Sequence, residues 1–323
     1  MQRRLLLQAA SGSVAVLGVP RAFAQAMPSG PIRIVVGFPR GGGTDALARV
    51  LAERLEPLWG RQVVIDNKPG VAGVLAASHV AQQPGDGRTL LMAHINSHAL
   101  APLLQPRLTY DVERDFTPVV LVGVTPNMLA GSVQQPVRTL DDLVALCQAR
   151  PGRVSFGSSG AGSVQHLSLE MFKLRARIDL LHIPYKGSAP VLADVVNGLV
   201  DCCLVSMTAV TPFVKSGKLV AIAQTRPVRA KAYPGVPTMA EQGFPGFDAS
   251  VWYGLVGPAR LPRGLVQKIN ADVNLVLAMP GVQRRLDGYG AEDGGGTPEK
   301  FGAFMRAELA KWTRVVKDSG LKP

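Results

Sequence analysis

The stretch Ile32-Arg33-Ile34-Val35-Val36-Gly37-Phe38-Pro39-Arg40-Gly41-Gly42-Gly43-Thr44-Asp45 decides the fold. Its first half is apolar enough for a buried strand. Beyond Asp45, residues Leu47, Val50, Leu51, Leu55 and Leu58 fall on one helical stripe, so strand, glycine turn and helix follow in order. Glycines at that junction let backbone N–H groups approach a ligand with no Cβ in the way. The helix start behind them adds unpaired N–H donors and a partial positive charge, which favours an anion. The turn has neither the Lys-Ser or Lys-Thr of a P-loop nor the G-x-G-x-x-G of a dinucleotide site. A plain tight turn is the simpler alternative for this loop taken alone.

Working outward, strand and helix signals alternate. A strand at 32–38 is followed by a helix at 45–58, a strand at 63–66, a small helix near 73–81 and a strand at 89–93. Such a βαβαβ unit predicts a parallel, doubly wound sheet. A second block places helices at 141–148, 163–174 and 189–198, and strands at 154–157, 180–183, 200–205 and 219–224. The tail reads as helices at 265–278, 280–286 and 298–319, the last capped by Thr297 with Pro298 at its first position. Extended apolar runs at 119–129 and 252–257 sit at the block junctions and are expected to cross between two lobes. The expected fold is therefore α/β and two-lobed, each lobe a doubly wound, mainly parallel sheet, with two crossing strands as hinge. Residues 25–129 plus 251–323 form lobe 1, 130–250 form lobe 2, and the cleft between them is the natural ligand site.

Residues 1–24 read as an export signal. Arg3-Arg4 precede an apolar stretch broken by Ser11-Gly12-Ser13, and Ala22-Phe23-Ala24 offers a cleavage site. The paired arginines followed by Leu5-Leu6-Leu7 fit twin-arginine export, which a general secretory signal also resembles. The periplasm is the expected compartment. Losing this segment removes Arg3, Arg4 and Arg21 and no acid, leaving 32 basic against 23 acidic residues in a chain whose full formal charge is +12. No basic run with interleaved aromatics accompanies the charge, so nucleic acid is not the expected partner. Anionic small molecules suit the charge, as does a general role in solubility. Cys147, Cys202 and Cys203 make no disulfide framework, and the adjacent pair reads as small core residues, a strained vicinal disulfide being the alternative.

A second loop, Phe156-Gly157-Ser158-Ser159-Gly160-Ala161-Gly162-Ser163, also follows a strand and opens a helix. Two anion-receptive helix starts, one per lobe, can face each other across a cleft. Ser158, Ser159 and Ser163 add orientable hydroxyls. The loop is not the G-x-S-x-G elbow, and no motif places a His and acid beside it, so a serine hydrolase is disfavoured. His94, Asn96 and His98 lie where the third strand ends, a usual place for ligand contacts. His94 and His98 have metal-like spacing only if that segment is helical, and no carboxylate completes a set. His166 suits either a ligand contact or a partly buried core position.

With these segments in hand, the chain resembles the Bug family, the extracytoplasmic receptors of tripartite tricarboxylate transporters. The resemblance runs from about Pro31 to Leu321. Phe38 to Asp45, Asn67-Lys68-Pro69-Gly70, Pro84 to Leu91, Tyr110-Asp111, Asp115-Phe116, Gly157 to Gly160, His166-Leu167, His182 to Pro190, Val236 to Glu241 and Trp312 carry it, in that order. It implies a periplasmic-binding-protein type II fold that closes on a small organic carboxylate, held by the glycine and serine loops, partly through water. The residues so implicated are Gly41, Gly42, Gly43, Thr44 and Asp45, then Ser158, Ser159, Gly160, Ser163 and His166, with Asn96 and Tyr185 less directly; Arg40, which the family does not share, is expected to add a contact for a second carboxylate or an otherwise more anionic ligand. It also implies membrane permease subunits as partners; a monomer is expected, and the missing nucleophile, metal set and cofactor motif disfavour a catalytic residue, metal or cofactor. A receptor presenting its ligand to a sensor kinase is the alternative. Three departures from the family stand out. Arg40 replaces a usual alanine, Ala161 replaces a common asparagine, and Ser206-Met207-Thr208 fills a variable strand-end loop without charge.

Overall fold

The computed structural model describes residues 27–319. The export segment expected over 1–24 lies outside the described residues. The first half of the chain gives β1 (Ile32–Val36), α1 (Gly43–Trp59), β2 (Val63–Asn67), α2 (Val74–Ala81), β3 (Thr89–His94) and α3 (Ala101–Leu104). The strand β4 (Phe116–Ser132) leads into α4 (Leu140–Ala149), β5 (Ser155–Ser158), α5 (Val164–Ala176), β6 (Leu181–Pro184), α6 (Ser188–Val196), β7 (Cys202–Ser206), α7 (Met207–Lys215) and β8 (Leu219–Gln224). The chain closes with β9 (Ser250–Pro258), α8 (Arg263–Ala278), α9 (Pro280–Gly288) and α10 (Pro298–Ser319).

The strands run β2-β1-β3-β9-β4-β7-β5-β6, with β8 also on β4. β1 lies parallel to β2 and β3, as the βαβαβ pattern predicts, and β5 lies parallel to β6 and β7. Two lobes arise because β4 serves both. Phe116 to Pro126 pairs with β9 in the first sheet, whereas Asn127 to Ser132 pairs with β7 and β8 in the second. Two register shifts against β9 bend β4 along the first half of its run. β9 is the companion strand at the junction, with Ser250 opposite Pro126.

The main core packs Ile34, Leu47, Leu51, Phe156, Trp252 and Phe301. A smaller one lies behind α6 and α7 and holds Met128, Val191, Leu192, Val205 and Val210. Cys202 belongs to the main core and Cys203 to the smaller one, since successive strand residues face opposite ways. Both are free thiols, so the core reading of the pair holds, and burial pushes Cys203 up to about 12.

Four local differences from the sequence reading bear on the site. α1 begins at Gly43 rather than Asp45, so the last glycine and the threonine of the turn form its first helical residues. β4 extends three residues beyond each end of the run read from sequence. The chain after β3 coils into a π-helical turn, Asn96–Leu100, that runs into α3. Ser206-Met207-Thr208 is not a loop: β7 ends at Ser206 and α7 starts at Met207. β-branched residues and Pro212 weaken the helical signal of α7, and no turn residue separates it from the strand.

Candidate functional site

The glycine turn at the C-terminal end of β1 is held by Asp45. Its carboxylate takes two hydrogen bonds from Arg49, each 2.9 Å, and one each from Gly41 N–H and Asn67 Nδ2, both 3.0 Å. Burial alone raises the Asp45 carboxyl, but these donors outweigh it and hold it below the usual carboxylate range. The same Asn67 amide donates to Phe38 O, tying the end of the strand to the turn. Asp45 is thus engaged on the protein's own donors and shapes the loop from behind.

With the loop fixed, the start of α1 meets the second lobe. No side chain caps α1, whose N-cap is Gly42, so its first N–H groups remain free of side-chain partners. The same holds for α6 behind Gly187 and α7 behind Ser206. By contrast, α4 carries a full capping box from Thr139 and Asp142. The approach is close. A Cβ on Gly43 would lie 2.5 Å from Ser206 Oγ, 2.9 Å from the Tyr253 hydroxyl and 3.2 Å from Thr208 Cβ. Gly187, at φ +123°, similarly admits Pro39, whose Cδ would be 2.7 Å from an added Cβ. Asn96 Oδ1 accepts the Val164 N–H at 2.9 Å, one more link from the first lobe to the start of a second-lobe helix.

These contacts enclose a cleft of about 10 Å³, the room of a single water. Phe38, Gly42, Gly43, Thr44, His94 and Tyr253 line it from the first lobe, and Ser159, Gln165, Ser188 and Ser206 from the second. No carboxylate, lysine or arginine is among them. The partial positive ends of the uncapped helices and five hydroxyl groups therefore set its polarity. His94 adds a sixth donor. Burial, and after it the neighbouring His98, lowers His94 to about 3, so the ring is neutral. Its Nδ1 accepts the Asn96 N–H at 3.1 Å, which leaves the proton on Nε2. The ring is clamped between Phe38 and Tyr253, with centroids at 4.7 and 5.3 Å. Burial also pushes the Tyr253 phenol up to about 12, keeping it protonated.

The other residues singled out by sequence lie around this cleft rather than in its wall. Arg40 and Gly41 are exposed on the turn. Ser163 caps α5, accepting from His166 N–H and donating to Gly160 O at 2.6 Å. Ser158 bonds Gly160 and sits 2.7 Å from His182 Nε2. His166 accepts the Gly162 N–H and stacks on His182 at 4.2 Å, and burial, with His166 next, lowers His182 to about 4. Tyr185 donates to Asp194 at 2.5 Å. His98 packs against Phe116, Tyr110 and Trp252.

Gln165, Ser188 and Tyr253 line the cleft although sequence reasoning did not select them. Ser188 had a signal: Tyr185-Lys186-Gly187-Ser188 is a third strand–glycine–helix junction of the kind that marked the first two. Gln165 and Tyr253 carried none, being a polar residue one place into an amphipathic helix and an aromatic in an apolar strand.

A two-lobed α/β molecule with helix starts converging on an interlobe cleft is a solute-binding protein of the periplasmic type. The model described as the tripartite tricarboxylate transporter family receptor matches residues 47–321, and the chain belongs to that family. Among its relatives, protein BugT of Bordetella pertussis is 36% identical over 300 residues, covering 93% of this chain and 92% of BugT. The solved structure of Rpa4515 from R. palustris with adipate is 36% identical, with a TM-score of 0.88 over 92% of this chain and 99% of that one. MatC (Rpa3494) from Rhodopseudomonas palustris with bound malate is 31% identical, with a TM-score of 0.83 over 90% of this chain and 99% of that one.

Proposed function

We propose that this chain is an extracytoplasmic receptor that closes on a small organic carboxylate in the interlobe cleft and delivers it to the membrane subunits of a tripartite transporter. The observation that carries the reading is the cleft wall: uncapped helix starts from both lobes and neutral hydroxyl and imidazole groups, with no acidic side chain among the lining residues. A carboxylate gains charge-assisted hydrogen bonds there and meets no like charge. The two solved relatives named above hold dicarboxylates, which supports the same class for this chain. The lobes as they stand leave the room of a single water, so they part to admit the acid and close on it; because the wall comes from both lobes, contacts to both favour the closed form over the open one, and that difference drives closure. The N-terminal sequence pattern supports the periplasm as the place of work. Gly42, Gly43, Thr44 and Ser159 are the proposed contacts, with Asp45, Ser158, Gly160, Ser163, His166 and Asn96 holding the loops that present them.

A thermal-shift screen of the mature chain against mono-, di- and tricarboxylates, amino acids and aromatic acids tests this. At a ligand concentration near 100 Kd, linkage adds about 2.7 kcal/mol. That corresponds to a rise in Tm of several degrees, at roughly 2–4 °C per kcal/mol. No shift with any acid refutes the proposal.

A further inference from the structure

Gln165 is the cleft residue whose chemistry the carboxylate reading leaves unused. Its side chain is buried, at 2% exposure, at the second position of α5, and it lines the cleft with Ser159, Ser206 and Tyr253. Its amide orientation is dictated by a chain of hydrogen bonds that ends on the backbone. Asn127 Nδ2 donates to Ala249 O at 2.6 Å, so Asn127 must present Oδ1 on its other side. Gln165 Nε2 donates to that Oδ1 at 2.8 Å. Turning over either amide would set two acceptors against each other. The amide of Gln165 therefore keeps its nitrogen on Asn127, and Oε1 is left buried without a partner. A buried acceptor with no donor costs free energy, so a donor is expected when the site is filled.

A carboxylate cannot supply that donor, because ionised it only accepts. The donor is then a group elsewhere on the ligand or a water held beside it. An ammonium group would bring a positive charge into a wall without a carboxylate, since Asp45 is engaged with Arg49, and an unpaired buried charge is costly. A hydroxyl carries no such cost.

Building on the carboxylate-receptor proposal, we infer that Gln165 Oε1 is a specificity-determining acceptor and that the solute is a hydroxy acid. The carboxylate is held by the helix starts, and the hydroxyl donates to Gln165.

The test is calorimetric titration of the mature chain with matched acids of equal carbon skeleton: succinate, malate and aspartate, then glutarate, 2-hydroxyglutarate and glutamate. The wild type should bind the hydroxy member of at least one series roughly 10- to 100-fold more tightly than the plain acid, the range of a buried hydrogen bond made or missing. Gln165→Met, similar in length but without an acceptor of comparable strength, should collapse that ratio to about twofold or less; because it also removes the donor to Asn127 Oδ1, the ratio within the variant, not its absolute affinity, is the readout. The wild-type ratio needs no variant to fold, so it tests the inference by itself. A wild type that binds the plain or amino acid as tightly as the hydroxy acid overturns the inference. An unchanged ratio in a folded Gln165→Met overturns it too, and would place a water on Oε1 instead. Binding of plain acids alone leaves the receptor reading standing and overturns the inference, whereas binding of no acid in either series or in the wider acid screen refutes both.

Discussion

Replacing Gly43 by alanine adds one methyl group at the closest approach of the two lobes. Gly43 is the first residue of α1, and its φ lies outside the left-handed region, so alanine fits the local backbone and favours the helix. Within its own lobe the new methyl meets the Tyr253 hydroxyl at 2.9 Å, and across the cleft it meets Ser206 Oγ at 2.5 Å and Thr208 Cβ at 3.2 Å. All three partners are buried, Thr208 and Tyr253 at 1% exposure and Ser206 at 3%, so none retreats into solvent. Overpacking of this kind costs about 1–3 kcal/mol. Most of it falls on the closed form, since the nearest obstacle belongs to the other lobe. Affinity for the bound acid should therefore fall about 5- to 150-fold, at tenfold per 1.4 kcal/mol.

Two measurements together check this. Calorimetric titration of Gly43→Ala should show the loss, while the melting temperature without ligand should stay within a degree or so of wild type or rise. Adding Ser206→Ala removes the nearest obstacle. Gly43→Ala should then cost less affinity in that background than in wild type, a coupling that a double-mutant cycle reads directly. An unchanged affinity refutes the reasoning. So does a ligand-free protein destabilised by the same 1–3 kcal/mol, because the methyl would then clash in every state of the molecule.

Asp45→Asn should weaken the fold by about 2 kcal/mol, the loss of charge-assisted hydrogen bonds, because Arg49, Gly41 N–H and Asn67 lose an ionised acceptor. The depressed Asp45 pKa stabilises the fold above the unfolded carboxyl's 3.8 and is lost only as pH falls through the lower folded value. The gap between variant and wild type in urea unfolding should therefore persist at pH 5 and close in stronger acid; equal stability at pH 7 would refute the role. The buried histidines predict a separate loss in a different window. His94 and His98 are held near 3 in the fold against 6.5 when unfolded, so the unfolded state takes up protons first. Stability should be full above about pH 6.5 and decline below it, by on the order of 2 kcal/mol per histidine at pH 5. A urea midpoint unchanged between pH 7 and pH 5 would contradict it. Arg40 is exposed beside the cleft. As a contact for a second carboxylate, its change to alanine should weaken dicarboxylates more than monocarboxylates, and less so at high salt. Equal affinities for every bound acid would leave it a solvated surface residue.

The parallel core of each lobe was legible because β1, α1, β2 and β3 each carry a hydrophobic period of their own, and glycines punctuate them. The glycine turn was legible for the same reason: a strand that ends in three glycines before an apolar stripe has few other uses. Signals failed where a local pattern was ambiguous or a property belonged to two distant segments. Residues 207–215 hold β-branched residues and a proline, so a helix there is decided by packing against β4, β7 and β8 rather than by propensity. β4 reads as one apolar run, and nothing in its residues says that its partner changes at Pro126. The wall of the cleft is the sharper case. Ser206, Thr208 and Tyr253 surround the place where a Gly43 side chain would be, yet they lie more than 160 residues away from it. What the sequence shows at residue 43 is an absence of side chain. Only the fold shows that the absence is filled by a serine, a threonine and a tyrosine, two of them from the other lobe. The orientation of Gln165 follows the same logic, because it rests on Asn127 and a backbone carbonyl at Ala249. General affinity for an anion is thus written locally, in glycines before helices, whereas choice among anions is written in contacts between distant segments.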